Sequence, residues 1–310
     1  MQLPRKAKQF LIAAVKLLIV AAAFYFIWTR LRDEQALWDR ASIGMIPLWA
    51  WIALFNLAFL NRFFEILKWQ NLVSSFKQIS IADSSRQVLG ALTVSIFTPN
   101  GIGEYGAKAL FFEKSRAKRI VFLNLLCNGI QLVLTVVFGT FGLLYFNAVY
   151  DVISTNAVIY LFLIFVVSMA VLISVRKISI GKYSFSTAIR KLKEISQDIH
   201  RRNVYLAIGR YLFFSHQYYI LFVVFGVEIP YLLLMAAITS TYFLASALPT
   251  FQFLDFAVKG GVAVYFFGLM GINEWIPVLV TALMWLLNVV LPVAIGSYYV
   301  VTFKSRWKHS

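Results

Sequence analysis

The stretch Thr98 to Lys108, TPNGIGEYGAK, decides the fold, because its glycines admit two incompatible readings. Gly101, Gly103 and Gly106 make a literal G-x-G-x-x-G, the pattern by which a strand-to-helix turn grips a dinucleotide pyrophosphate. That use needs a strand before the glycines, a helix after them and an acidic residue about 20 positions on, within a βαβ unit. What precedes Gly101 is VLGALTVSIFTPN, an apolar membrane-type run, and nothing nearby reads as a parallel sheet. The apolar segments on either side, 83–98 and 105–113, are too short to cross a hydrocarbon core of about 30 Å, which takes about 20 helical residues. The stretch therefore reads as the tip of a re-entrant hairpin, 83–113, in which Pro99, Asn100, Gly101, Gly103 and Gly106 supply the turn. Backbone N–H groups at the start of the returning helix then offer an anion site.

Composition sets this hairpin in a membrane. The 310 residues are 61% hydrophobic and 14% charged, with a mean hydropathy of +0.77; soluble domains run at roughly 45–50% and about 25%. The net charge of +16 would suit a nucleic-acid binder in a soluble chain. In a membrane chain, Lys and Arg collect in cytoplasmic loops and against anionic lipid, so no nucleic-acid partner is expected. Cys127 is the only cysteine and lies in an apolar run, which leaves no disulfide framework and no thiolate metal site. Residues 1–29 start basic and stay apolar past Ala21–Ala23, and read as an uncleaved helix.

The expected fold is an all-α polytopic membrane protein with six full spans plus four half-length segments. Full spans are expected at 10–29, 46–66, 120–146, 152–175, 204–226 and 275–303, and half-length arms at 83–98, 105–113, 230–250 and 256–270. The positive-inside rule fixes the direction of each. Arg5, Lys6 and Lys8 hold the N-terminus in the cytoplasm, and the second span returns to Lys68 and Lys77. The loop of Lys114, Arg116, Lys118 and Arg119 must also lie inside, so the first hairpin enters and leaves on one side. Loop 176–203, with eight Lys or Arg residues, is cytoplasmic, and Lys304, Arg306 and Lys308 return the C-terminus there. This places the chain in the plasma (inner) membrane as a multi-pass protein with both termini cytoplasmic.

The order of segments makes an inverted repeat: 1–148 as the first membrane repeat, and 149–310 as the second, with its own hairpin at 230–270. Such repeats carry transporter sites where interrupted helices meet near the midplane. Glu104-Tyr105-Gly106-Ala107-Lys108 in the first hairpin is echoed by Asp255-Phe256-Ala257-Val258-Lys259 in the second. In loop 176–203, Phe185, Ala188, Ile189, Leu192, Ile195 and Ile199 recur at helical spacing. That face lies either in the acyl boundary of the cytoplasmic leaflet or against the protein's own loops.

Ionisable residues inside a membrane are costly and usually face a cavity or a partner. Glu104 either pairs with Lys108 at i, i+4 or contacts a proton or a headgroup amine, and Lys108 with Arg86 at the cytoplasmic mouth suits a phosphate. Asp255 and Lys259 occupy the equivalent places in the second hairpin. Asn124, Asn128, Gln131 and Thr135 share one helix face, and Thr281, Trp285, Asn288 and Pro292 repeat the spacing. These stripes either line a site or hydrogen-bond helices together. Arg210 and Gln217 share a face of the 204–226 helix, whereas His216 lies off it and reads as packing, and Lys16 snorkels. The substrate-site candidates are therefore Glu104, Lys108, Arg86, Asn128, Gln131, Arg210, Asp255 and Lys259. No H-E-x-x-H, G-x-S-x-G or acidic D-x-D cluster occurs, so neither an enzyme nor a metal or other cofactor is expected.

At TPNGIGEYGAKALFF, together with Asn61-Arg62 through Lys68-Trp69 and the long helix that follows, the chain resembles the transmembrane region of the lysylphosphatidylglycerol synthase and flippase family. The resemblance covers about residues 10–303, and the P-x-x-x-G-E core of Pro99, Gly103 and Glu104 is its most specific part, with Lys108 a turn later. The family's second motif, P-G-G-x-G, is degraded here to Pro249-Thr-Phe-Gln-Phe-Leu-Asp255, a departure from two equivalent hairpins. The resemblance implies lipid handling: full-length relatives join this region to a soluble domain that moves lysine from lysyl-tRNA to phosphatidylglycerol, and the membrane region flips the product. The longest non-membrane stretch here, 176–203, has no room for that domain.

The expected function is a flippase for a phosphate-bearing lipid, with anionic phospholipid or a lipid-linked phosphate as its partner. The alternative is a non-transporting accessory of a lipid or lipid-linked glycan pathway, acting with a membrane protein partner or as a homo-oligomer. An intramembrane enzyme using Glu104 would lack a second catalytic group.

Overall fold

The computed structural model describes residues 46–98, 101–152, 190–248 and 255–303, together with a few isolated positions between 154 and 184. Apart from one two-residue antiparallel pairing, β1 (Ser179–Ile180) with β2 (Tyr183–Ser184), the described chain is helical. The expected spans 10–29 and, for the most part, 152–175 lie outside the described residues, as do most of loop 176–203, Lys16 and the degraded motif 249–254.

The first long helix, α1 (Leu48–Val73), starts after Pro47, whose fixed φ of −66° and extended ψ of 151° suit a helix entry. Its composition is distributed inside out. Leu48, Trp49, Ile52, Phe55 and Phe59 are exposed, while Asn61, Glu65 and Lys68 are buried. Water would reverse that arrangement; a hydrocarbon surround favours it, because apolar side chains lose nothing facing lipid and charges must find partners within the protein. Among the described residues three helices are long and apolar enough to cross a membrane: Leu48–Val73, Lys114–Tyr150 and Trp275–Thr302. The chain is a membrane-helical protein.

After α1 come two short arms, α2 (Ile81–Ser95) and α3 (Gly103–Ala109). Ser80 caps α2 by accepting from the Asp83 N–H. Between the arms, Thr98 Oγ1 donates to the Ser95 carbonyl at 2.7 Å and accepts from the Gly103 N–H at 2.9 Å. Gly101 has φ of +68°, the left-handed region, and a Cβ on Gly103 would come within 2.8 Å of the Thr98 methyl. Two of the three glycines thus belong to the turn. Gly106 lies inside α3 with open space around it, so the turn does not need it. Pro99 and Asn100 lie outside the described residues.

A 3-10 turn, Lys114–Arg116, leads into α4 (Ala117–Tyr150). The second half follows the same order: α5 (Gln197–Val224), short arms α6 (Tyr231–Ala247) and α7 (Asp255–Leu269), then α8 (Trp275–Trp285), which runs through a π-helical segment, Leu286–Val290, into α9 (Leu291–Thr302). Packing between the halves is reciprocal. α1 lies against α5, α2 against α9 and α6 against α4, so each half lends its first short arm to the other half's last long helix. Small residues permit these approaches: a Cβ on Gly142 would overlap the Thr239 hydroxyl, and one on Gly296 the Leu89 carbonyl.

α5 starts seven residues before the expected span, at Gln197, with Ser196 as its N-cap. Ile195 is buried, and Ile199 packs with it on the cluster of Ile66, Trp69 and Leu72. At its C-terminal end, then, the apolar face of loop 176–203 meets the protein rather than lipid.

Along α1 the core changes character. Ala50, Leu54 and Ala58 join one apolar cluster with α4 to α8, whereas Ile66, Trp69, Leu72 and Val73 join a second with α2 and the start of α4. Between them on this helix lie Asn61 and Glu65, with Lys68 one turn further, among the first residues of the second cluster.

Candidate functional site

Asn61, Glu65 and Lys68, spaced i, i+4 and i+7, share one face of α1, and that face is turned into the protein. Glu65 is the hub. Its Oε2 meets Arg210 Nη1 of α5 at 2.7 Å and Lys68 Nζ at 3.1 Å, and the thiol of Cys127 on α4 donates to its Oε1 at 3.4 Å. Lys68 also reaches Gln131 of α4 at 3.5 Å. Arg210 Nε donates to Asn61 Oδ1 at 3.1 Å, and the chain continues from Asn61 Nδ2 to Asn288 Oδ1 at 2.7 Å and from Asn288 Nδ2 to Gln217 Oε1 at 2.9 Å. Four long helices are thereby joined through one polar layer.

The π-helical segment follows from Pro292. Proline has no N–H to offer the carbonyl four residues back, and that carbonyl belongs to Asn288. Arg62 Nη2 takes it up at 2.6 Å. The second-half helix thus presents both the side chain and the backbone oxygen of Asn288 to α1.

Beside this hub sits Lys108 of α3, fully buried. Its Nζ pairs with Glu104 at 2.5 Å, donates to Asn124 Oδ1 at 2.7 Å and stands 4.3 Å from the centroid of the Trp69 ring. Lys108 is held by Asn124 of α4 and Trp69 of α1, each next to a hub position: Cys127 is one turn along α4, and Lys68 is adjacent on α1. Arg62 joins the layer through Asn288, so the two groups form one polar unit. Within it, Arg62, Lys68, Lys108 and Arg210 face Glu65 and Glu104: four cations against two carboxylates, an excess of two positive charges. Two donors in the unit, Arg62 Nε and Asn124 Nδ2, are buried with no acceptor. Buried cations and unused donors together form an arrangement that an anion with several acceptor oxygens would complete. Arg210 and Glu104 keep 23% and 15% of their side chains exposed and give the unit its contact with the outside.

Of the residues expected to form a site, Glu104, Lys108, Gln131 and Arg210 meet here. Asn128 is half-buried on α4 and makes no hydrogen bond within the unit. Arg86 is exposed and paired with Asp83 at 3.6 Å. It lines, with Lys77, Gln87, Tyr298 and Phe303, a cleft of about 420 Å³ between the start of α2 and the end of α9. The cleft's Gln87 accepts from Trp69 Nε1 at 2.7 Å, so a single indole separates it from Lys108. Lys259 faces the rings of Tyr242 and Phe214 at 5.9 and 6.0 Å instead of the hub. Asp255 opens α7, and its side chain lies outside the described residues. His216, expected to pack, donates from Nδ1 to the Leu212 carbonyl at 2.8 Å, which leaves Nε2 to accept from the Tyr231 hydroxyl at 2.9 Å.

Asn61, Arg62 and Lys68 entered the sequence reading only through the family resemblance and the loop count, and Glu65 not at all; none was expected in the site. Sequence reading ends the second span near 66 and puts Lys68 at the cytoplasmic surface, because a charge lowers local hydropathy as a loop does. The helix instead continues to Val73 with Lys68 wholly buried. Among the described residues no three His, Cys, Asp or Glu side chains gather as metal ligands.

No protein-family model matches this chain, and no curated protein matches it.

Proposed function

We propose that this chain is a lipid flippase that passes a phosphate-bearing headgroup between leaflets through the polar layer centred on Glu65 and Lys108. The observation that carries the reading is the excess of cations, with Lys68 and Lys108 fully buried and Arg62 and Arg210 half-buried, beside two idle donors inside a helical protein with many apolar side chains on its outer surface. A charge in such surroundings is expensive and is kept where it handles a polar cargo. Arg62 Nε and Asn124 Nδ2 receive phosphate oxygens, Lys108 exchanges Glu104 for the phosphate, and the acyl chains stay in the bilayer.

The reading takes the two halves as an inverted repeat and the α2–α3 and α6–α7 pairs as re-entrant hairpins, in the inner membrane with both termini cytoplasmic. The reciprocal packing of α2 on α9 and α6 on α4 supports this, since it supplies two like interfaces that open in turn around a fixed site. The cleft with Arg86 and Lys77 is the cytoplasmic approach, and the resemblance to the lysylphosphatidylglycerol flippase region points to the same class of cargo.

Purified protein in liposomes containing a fluorescent anionic phospholipid tests it. Dithionite quenching should report protein-dependent exchange between leaflets, slowed about tenfold or more by Lys108→Gln, the loss of one strong charge-assisted contact. A second reading, a non-transporting accessory, is favoured by the hydrogen-bonded chain Asn61–Asn288–Gln217, which joins helices as a purely structural network would. Under that reading the purified protein moves no lipid.

A further inference from the structure

The flippase reading leaves the cargo's charge open, and the polar layer bears on it directly. Its described ionisable groups are Arg62, Lys68, Lys108 and Arg210 against Glu65 and Glu104. A zwitterionic headgroup would leave the excess of two positive charges untouched, and a phosphodiester such as phosphatidylglycerol would neutralise half of it. A lysylated headgroup, one phosphodiester with two amino groups, is a net cation and would increase it. A phosphomonoester, or a diphosphate esterified at both ends, which near neutral pH carries about two negative charges and at least three strong acceptor oxygens, would balance it and also occupy the idle donors.

Resting on the headgroup-site reading above, we infer that this site selects a lipid whose headgroup carries two net negative charges, a phosphomonoester or a diphosphate esterified at both ends, and disfavours lysylated phosphatidylglycerol. Like charges brought together in a desolvated site repel strongly, so the discrimination lies in the charge balance and not in any single contact. Glu104 contributes to it. Without a cargo it holds Lys108, and a dianion replaces it with a stronger partner for the same ammonium group.

The test compares fluorescent phosphatidic acid, phosphatidylglycerol and phosphatidylcholine in proteoliposomes at pH 8, where the phosphomonoester is close to doubly charged. Phosphatidic acid should exchange about tenfold faster or more than either competitor, the lower end of what close charge pairs supply. Arg62→Gln, which removes one cation, should narrow the gap over phosphatidylglycerol, and Arg62→Lys should restore it. Should Arg62→Gln not fold, Arg210→Gln provides the same one-charge change. In detergent, thermal protection by inorganic phosphate and pyrophosphate, but not by chloride, separates charge selection from lipid handling. Equal rates for phosphatidic acid and phosphatidylglycerol overturn the charge inference and leave the flippase standing. Phosphate protection with no lipid moving keeps the charge selection and removes the flippase, and absence of both overturns both.

Discussion

Glu65 receives a guanidinium, an ammonium and a thiol within 3.4 Å, and is the anion on which Lys68 and Arg210 depend. Removing one member of a buried, hydrogen-bonded charge group leaves its partners desolvated, a cost of about 3–5 kcal/mol where it has been measured. Glu65→Gln should therefore lower the thermal stability of the detergent-solubilised protein by a large margin, and the double variant Glu65→Gln with Lys68→Met should recover part of it. A melting temperature unchanged by the single variant would mean the carboxylate is not the anchor of the layer. Glu104 differs, being partly exposed and, among the described residues, paired with Lys108 alone. At this scale Glu104 and Lys108 were legible from i, i+4 spacing inside an apolar setting. Glu65 was not, because its decisive partner, Arg210, lies on another helix far along the chain.

Among the elements, the helix from Trp275 to Thr302 is the one whose local chemistry reaches furthest. Pro292 withholds an N–H, the turn before it relaxes into a π-helical segment, and the freed Asn288 carbonyl accepts from Arg62. Pro292→Ala restores that N–H. The regular α-helix should then recapture the carbonyl, releasing Arg62 and lowering lipid exchange several-fold, while far-UV circular dichroism and melting temperature stay level or rise. Full retention of exchange would detach the π-segment from function. Helix lengths were easy to read: α2, α3, α6 and α7 are short where the apolar runs are short, within a few residues of the expected bounds. The π-segment was out of reach, since proline in a long apolar run predicts a kink or a break but not which neighbour claims the orphaned oxygen.

For the whole molecule, the positive-inside count requires Ser115 and Glu228, both exposed at helix ends, to lie on opposite sides of the membrane. Ser115→Cys should react with an impermeant thiol reagent from the cytoplasmic side only, and Glu228→Cys only from the other. Labelling of both from one side would undo the inverted repeat. Cys127 is buried and should stay silent.

The sequence by itself determined that the chain is apolar and helical, where the described short helices lie to within a few residues, and that TPNGIGEYGAK holds a turn between short arms; that Gly101 and Gly103 serve this turn and Gly106 does not came from the structure. These are local properties: hydropathy, run length and backbone freedom act within a few residues. Tertiary structure alone decided that Asn61, Arg62, Glu65 and Lys68 on α1 meet Arg210, Asn288 and Lys108 in one positively charged layer, and that Arg86, Asn128 and Lys259 stand apart from it. A buried charge is fixed by whichever distant group compensates it. Its effect on local hydropathy is the same whether it faces a loop, lipid or a partner 145 residues away, as the Glu65 and Arg210 numbering shows (210 − 65 = 145).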